Sequence, residues 1–228
     1  LLDFDRGREA VAGYWRRVLK AGMALVTPEP ELDEFHAAVA AHSLINSELE
    51  PGARRRFARA GSFTYLAFGN ESCMMIVDLD RRGLHEAARE CLEGFLRYQG
   101  SVPLPGDFRS QEGVLWGAAG YEHIGYNQHH GWILWCLIEH FRFTRDDAWL
   151  ASVADNVLAA SEWIIGERDR PLPADSPEAG LLPPGDLEDI TDWWPWISTN
   201  CYTWRGLDAA AWGLGQIGHP RAEELRAH

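Results

Sequence analysis

The segment Gly180–Trp196, GLLPPGDLEDITDWWPW, holds the densest set of chemically useful side chains in the sequence. Asp186, Glu188, Asp189 and Asp192 fall on one Pro- and Gly-rich loop, directly before Trp193, Trp194 and Trp196. Crowded carboxylates repel one another, and partial burial of the group raises the pKa of at least one of them. A carboxylic acid that keeps its proton near neutral pH is what general acid catalysis requires, and an ionised neighbour is what activation of water requires. The tryptophans add a second property: aromatic faces stack on the C–H faces of sugar rings while carboxylates hold the hydroxyls. Glu188 is the first candidate for proton donor. Asp189 follows closely, because adjacent loop residues point in different directions, and Asp186 and Asp192 come next. The plainer alternative is a solvated acidic loop whose aspartates cap helices; the adjoining DWWPW weighs against it.

Two further groups extend this chemistry. Tyr126, Asn127, Gln128, His129 and His130 stand where a long Gly-rich loop enters an apolar helix. Amide and imidazole groups there could bind sugar hydroxyls or orient a carboxylate, or they could form a helix cap followed by satisfied core histidines. Glu71, in FTYLAFGNES, opens a helix after a loop. It is either a second pocket carboxylate or a first-turn acid favoured by the helix dipole. The set His129, His130, Glu139 and His140 raises the question of a metal. Adjacent histidines face apart on a helix and His130 is too far from His140 to share one turn, so no metal is expected. There is no GxSxG elbow, no GxGxxG and no GxxxxGK[ST], and no cysteine sits beside a loop histidine. The sequence therefore implies neither nucleotide nor cofactor.

The elements that position these residues read as helices. Asp5–Val26 carries Val11, Tyr14, Trp15, Val18 and Leu19 at helical spacing, and a second helix from Pro30 runs through Phe35, Val39, His42, Ile45 and Leu49 to Pro51-Gly52. Glu71–Arg82 stops at Gly83, and Leu84–Leu96 follows at once. Gln128–Phe143 is apolar nearly all round, as an enclosed helix would be. Thr144 with Asp147 reads as a capping-box start for a partner helix reaching Arg168. After the loop Asp169–Trp196, too long for a mere connector, a last helix bears Leu207, Ala210, Ala211, Leu214 and Ile217 and ends at Gly218; Pro220 opens another. No period-two strand stands out. The class is all-α, one unit over residues 1–228, built from recurring helical hairpins in a toroidal or solenoid array.

Composition narrows the partners. A net charge of −13 opposes nucleic acid and anionic membrane. Charged residues interrupt every apolar run well short of the roughly 20 residues that span a bilayer, which predicts a soluble chain. Cys73, Cys91, Cys136 and Cys201 form no CxxC pair and read as buried free thiols. Of the eleven tryptophans, Trp135, Trp149, Trp163 and Trp212 fall in helical patterns and read as core. The composition does not indicate compartment or oligomeric state.

Three phrases, YWRRVL with VTPEPEL, YNQHHGWILWCLIEHFRFTRDDAWL and GLLPPGDLEDITDWWPWISTNCYTWRGLDAAAWGLGQIG, resemble the six-hairpin glycosidase superfamily, whose catalytic domains are (α/α)6 barrels. The resemblance implies an inner ring of helices sheathed by an outer ring and a carbohydrate substrate at one end. It implies a proton donor on the Gly180–Trp196 loop, and inversion by directly attacking water. It also implies that the chain covers part of such a barrel, with the remainder mostly C-terminal. Helical toroids also host polysaccharide lyases and sugar epimerases, and a carbohydrate-binding protein without a complete catalytic pair is the non-enzymatic alternative.

Overall fold

Apolar residues at steps of three and four build the helices, and glycines decide how closely they approach. The computed structural model describes residues 3–50, 52, 55–61, 66–115, 128–173, 175–187 and 190–228, without the side chains of Gln128 and Thr191. These residues are mostly helical, about 60%. In chain order they form α1 (Phe4–Lys20), α2 (Pro30–Ile45), β1 (Ser47–Leu49), β2 (Arg56–Ala58), α3 (Gly69–Arg81), α4 (His85–Arg97), α5 (Gln128–Thr144), α6 (Asp147–Ser152), α7 (Ala154–Arg168), β3 (Gly185–Leu187), β4 (Ile190–Trp194), α8 (Ile197–Gln216) and α9 (Ala222–Arg226).

Helices α3, α5 and α8 lie side by side and parallel. Along the first pair, Gly69 meets His129, Cys136 Sγ reaches the Cys73 carbonyl at 3.8 Å, and His140 meets Asp80, all in the same order on both helices. Along the second pair, Gly131 meets Tyr202, Gly213 meets Ile138, and the Phe141 and Trp212 rings stand 6.0 Å apart. A Cβ on Gly131 would lie 2.4 Å from the Tyr202 carbonyl group, and one on Gly206 would lie 2.8 Å from the Gly131 oxygen. The α5 and α8 backbones therefore touch directly, and only glycine fits.

A second layer returns the chain. The α3–α4 turn depends on Gly83, φ +75°, with the Leu84 N–H bonded to the Leu79 carbonyl five residues back; this left-handed helix end favours a residue without Cβ. Helix α4 packs on α3 and α5, α7 packs on α5 and α8, and α9 packs on α8. Between the layers lie Ile76, Leu79, Leu92, Phe95, Ile133, Leu134, Leu137, Val157, Ala210 and Leu214, all buried. Each large apolar side chain contributes about 1.5–3 kcal/mol by leaving water. Helix α1 has no buried residue and reaches the core only through partly buried Leu19 near its end.

Several sequence expectations need correction. Helix α1 ends at Lys20 and not Val26, and α2 ends at Ile45 and not Leu49. Ser47–Leu49 instead pairs antiparallel with Arg56–Ala58. Arg56 reaches both the Ser47 carbonyl and Glu90, which fixes that strand against α4. A second antiparallel pair, β3 with β4, occupies the acidic loop. The expected Thr144–Asp147 cap is displaced. Thr144 closes α5, Arg145 turns the chain at φ 53°, and the Asp146 carboxylate accepts from the Trp149 N–H at 2.9 Å. Cys73, Cys91 and Cys136 are buried thiols, whereas Cys201 is exposed because it shares the outward face of α8 with Ile197 and Trp204. Trp149 and Trp163 are buried core; Trp135 and Trp212 are only partly covered, with Arg205 and Arg142 over their rings at 4.9 and 4.4 Å.

Candidate functional site

Because α3, α5 and α8 are parallel, their N-termini share one end of the layer. The chain that leads into α3 and α8, residues 66–68 and 190–196, arrives there. That end, the mouth, therefore gathers Glu71 from α3, His129 and His130 from α5 and the acidic hairpin before α8.

The hairpin is held by its backbone. Gly185 pairs with Trp194 and Leu187 with Ile190. Residues 105–107 add a third segment: Asp186 N donates to the Pro105 carbonyl and Asp107 N to the Pro184 carbonyl, each at 2.9 Å. A Cβ on Gly106 would lie 2.5 Å from the Phe108 ring, so glycine permits this close approach. Trp196 donates its indole N–H to the Gly185 carbonyl at 2.9 Å, and Asn200 Oδ1 accepts from Leu182 N at 2.9 Å, tying loop and hairpin to the start of α8.

The predicted proton donors divide accordingly. Asp186 lies on β3, half-buried, with Oδ1 accepting from Leu187 N at 3.0 Å; Asp192 lies exposed on β4. Glu188 and Asp189, between the strands, lie outside the described residues, as do Tyr126 and Asn127 and the side chain of Gln128. Trp193 and Trp194, 49% and 59% exposed, are successive residues of β4 and so point to opposite faces of the hairpin. Trp196 is half-buried and its N–H is engaged in fixing the hairpin.

His129 and His130, in the first turn of α5, are fully buried. His130 accepts from Leu115 N at 2.9 Å and donates from Nε2 to the Ala160 carbonyl at 3.0 Å, so it joins a loop, α5 and α7. Burial pushes its pKa down to about 4. His129 lies against Gly69 and the Phe68 ring, and burial pushes it down to about 3. Both are therefore neutral packing groups at ordinary pH.

Glu71 differs. It is the third residue of α3, half-buried, and its Oε2 is shielded from solvent with no hydrogen-bond partner among the described residues. Thr199, the third residue of α8 and buried, likewise has an unpartnered hydroxyl. An unmet buried polar atom costs about 1–3 kcal/mol; Glu71 and Thr199 carry such atoms at this end, and His140 Nε2 carries one at the other.

Two arrangements were not foreseen from sequence. At the far end of the layer, buried Asp80 receives His85 Nδ1 at 2.8 Å and His140 Nδ1 at 2.9 Å; DLDRRGLHE around the Gly83 turn was the only local signal. Near the mouth, Glu167 Oε1 accepts from both Arg109 N and Ser110 N at 2.9 Å, fixing the 105–115 loop beside a cleft of about 390 Å³ with Trp163 and Glu162 on its wall. Among the described residues no group of three or more His, Cys, Asp or Glu could hold a metal ion, and no helix is long and apolar enough to cross a membrane. No family model, curated protein or solved structure matches this chain.

Proposed function

We propose that this chain provides the sugar-binding and proton-donating side of a glycoside hydrolase built on an (α/α) toroid, of which α3, α5 and α8 are inner helices and α4, α7 and α9 outer ones. The observation that carries the reading is the convergence at one end. Three parallel helix N-termini receive a carboxylate-rich hairpin with two exposed tryptophans and a carboxylate oxygen that lacks a partner.

In this reading a hairpin carboxylic acid, Glu188 first and Asp189, Asp186 or Asp192 after it, gives its proton to the glycosidic oxygen as the C–O bond breaks. Water adds to the anomeric carbon from the opposite face, and its proton passes to a second carboxylate, as in the inverting pattern. Trp193 and Trp194 offer stacking faces for flanking sugar rings. Clustered carboxylates suit a neutral substrate better than an anionic one, because like charges repel.

The test is the product. Incubation of the protein with neutral oligosaccharides is expected to liberate new reducing ends. A product absorbing in the ultraviolet would assign a lyase instead, and binding without any product would leave a carbohydrate-binding protein.

A further inference from the structure

We infer that Glu71 contacts the substrate, its Oε2 accepting a hydrogen bond from a hydroxyl of an uncharged sugar; the inference rests on the functional reading above. Three observations place the demand at this atom. The oxygen is shielded from solvent yet has no hydrogen-bond partner among the described residues, although the residue itself remains partly open. A carboxylate oxygen can only accept, so what satisfies it must bring an O–H or N–H. The residue stands in the first turn of α3, beside the chain that enters the helix, and hydrogen bonds to carboxylate acceptors are among the stronger kinds.

Packing keeps the carboxylate in place. Gly69, two residues earlier, is pressed against His129, where a Cβ would come within 2.8 Å of the His129 Cβ. Ser72, the next residue, is buried and donates its hydroxyl to the Ala58 carbonyl. The first turn of α3 is thus clamped on both sides of Glu71, and the carboxylate is preorganised to meet a ligand. The arginines on nearby strands are already engaged: Arg56 with Glu90, Arg55 with Glu50 and Arg59 with Glu48. A neutral polyhydroxyl ligand fits these surroundings, whereas a uronate or sugar phosphate would meet the bare Glu71 carboxylate.

The experiment uses the full chain and maltotriose, cellotriose and mannotriose, each titrated calorimetrically into wild type, Glu71→Ala and Glu71→Gln, with melting temperatures taken without sugar. At least one trisaccharide is expected to bind wild type. Glu71→Ala should bind it about tenfold or more weakly, the loss of a hydrogen bond to a charged group, and Glu71→Gln, which keeps one acceptor, should lose less. Without sugar, Glu71→Ala should melt no lower than wild type, because it removes an unmet acceptor. Unchanged binding in both variants would overturn the assignment and leave the hydrolase reading intact. A lowered melting temperature in both would make Glu71 a structural helix-end acid and overturn it too. Loss of turnover with intact binding would make it the water-activating base, which also overturns the anchor role. If no sugar binds or is cleaved by wild type, the functional reading falls as well.

Discussion

Helix α3 carries two acids with opposite treatment. At its far end Asp80 is fully buried, and its carboxylate receives two histidines, His85 from α4 and His140 from α5. His140 in turn sets its ring edge-on to Trp149 at 4.6 Å, so aromatic packing closes that side. At the mouth end Glu71 is half-buried and one of its oxygens has nothing to accept from among the described residues. The same functional group is sealed at one end for stability and left unmet at the other. Unsatisfied buried groups are rare in folded proteins, and the far end keeps one of its own in His140 Nε2, but both Asp80 oxygens are met.

The contrast can be broken most strongly at Asp80. Asp80→Ala leaves the buried His140 and its neighbour His85 without their acceptor and should cost about 3–5 kcal/mol. Urea denaturation will show this as a lower midpoint at unchanged slope, and an unshifted midpoint would mean that the far end is not a clamp.

Acid should act next most strongly, through the buried histidines. His130 titrates at about 4 in the fold and His129 at about 3, both depressed by burial, against about 6.5 unfolded. Between those values the unfolded chain binds protons that the folded chain refuses. Their contribution is therefore complete above pH 6.5 and is lost progressively as pH falls toward 4, by about 3 kcal/mol for His130 alone. Unfolding free energies measured at pH 7 and pH 4.5 should differ in that direction. Imidazole NMR shifts that titrate near 6.5 would contradict the burial of both rings.

A smaller loss is expected where α5 and α8 touch. Gly131→Ala forces a methyl group onto the Tyr202 backbone and should destabilise by about 1–3 kcal/mol. Equal melting temperatures would show that the two backbones can separate at no cost. The smallest effect belongs to Glu71→Ala without ligand, where stability should stay level or rise slightly; this is the sharpest contrast with Asp80→Ala.

Long periodic segments were legible in the sequence. Gln128–Phe143 and Leu84–Leu96 match α5 and α4 to within a residue, because their apolar spacing runs over several turns. Three-residue strands such as Ser47–Leu49 cannot display a period of two, and Arg56 holds that one from nine residues away. The break at Val153 between α6 and α7 left no glycine or proline to announce it. At the site, the acidic hairpin and Glu71 were visible as residue types on loops and helix starts. The Asp80–His140 pair spans 60 positions, and the Thr199 hydroxyl follows from packing, so neither could be seen in a local pattern. The adjacent His129 and His130 looked alike in sequence. His130 is tied through both ring nitrogens, to Leu115 and Ala160, by chain that arrives from elsewhere.

The most direct test of the central claim compares release of reducing sugar from a neutral oligosaccharide by wild type and by Glu188→Gln, with Asp189→Asn and Asp186→Asn alongside. The account predicts measurable release by wild type and a fall of about 10²–10⁴-fold in one of the hairpin variants, the magnitude typical of removing a general acid, with the melting temperature unchanged. Equal release by wild type, these three variants and Asp192→Asn would contradict it.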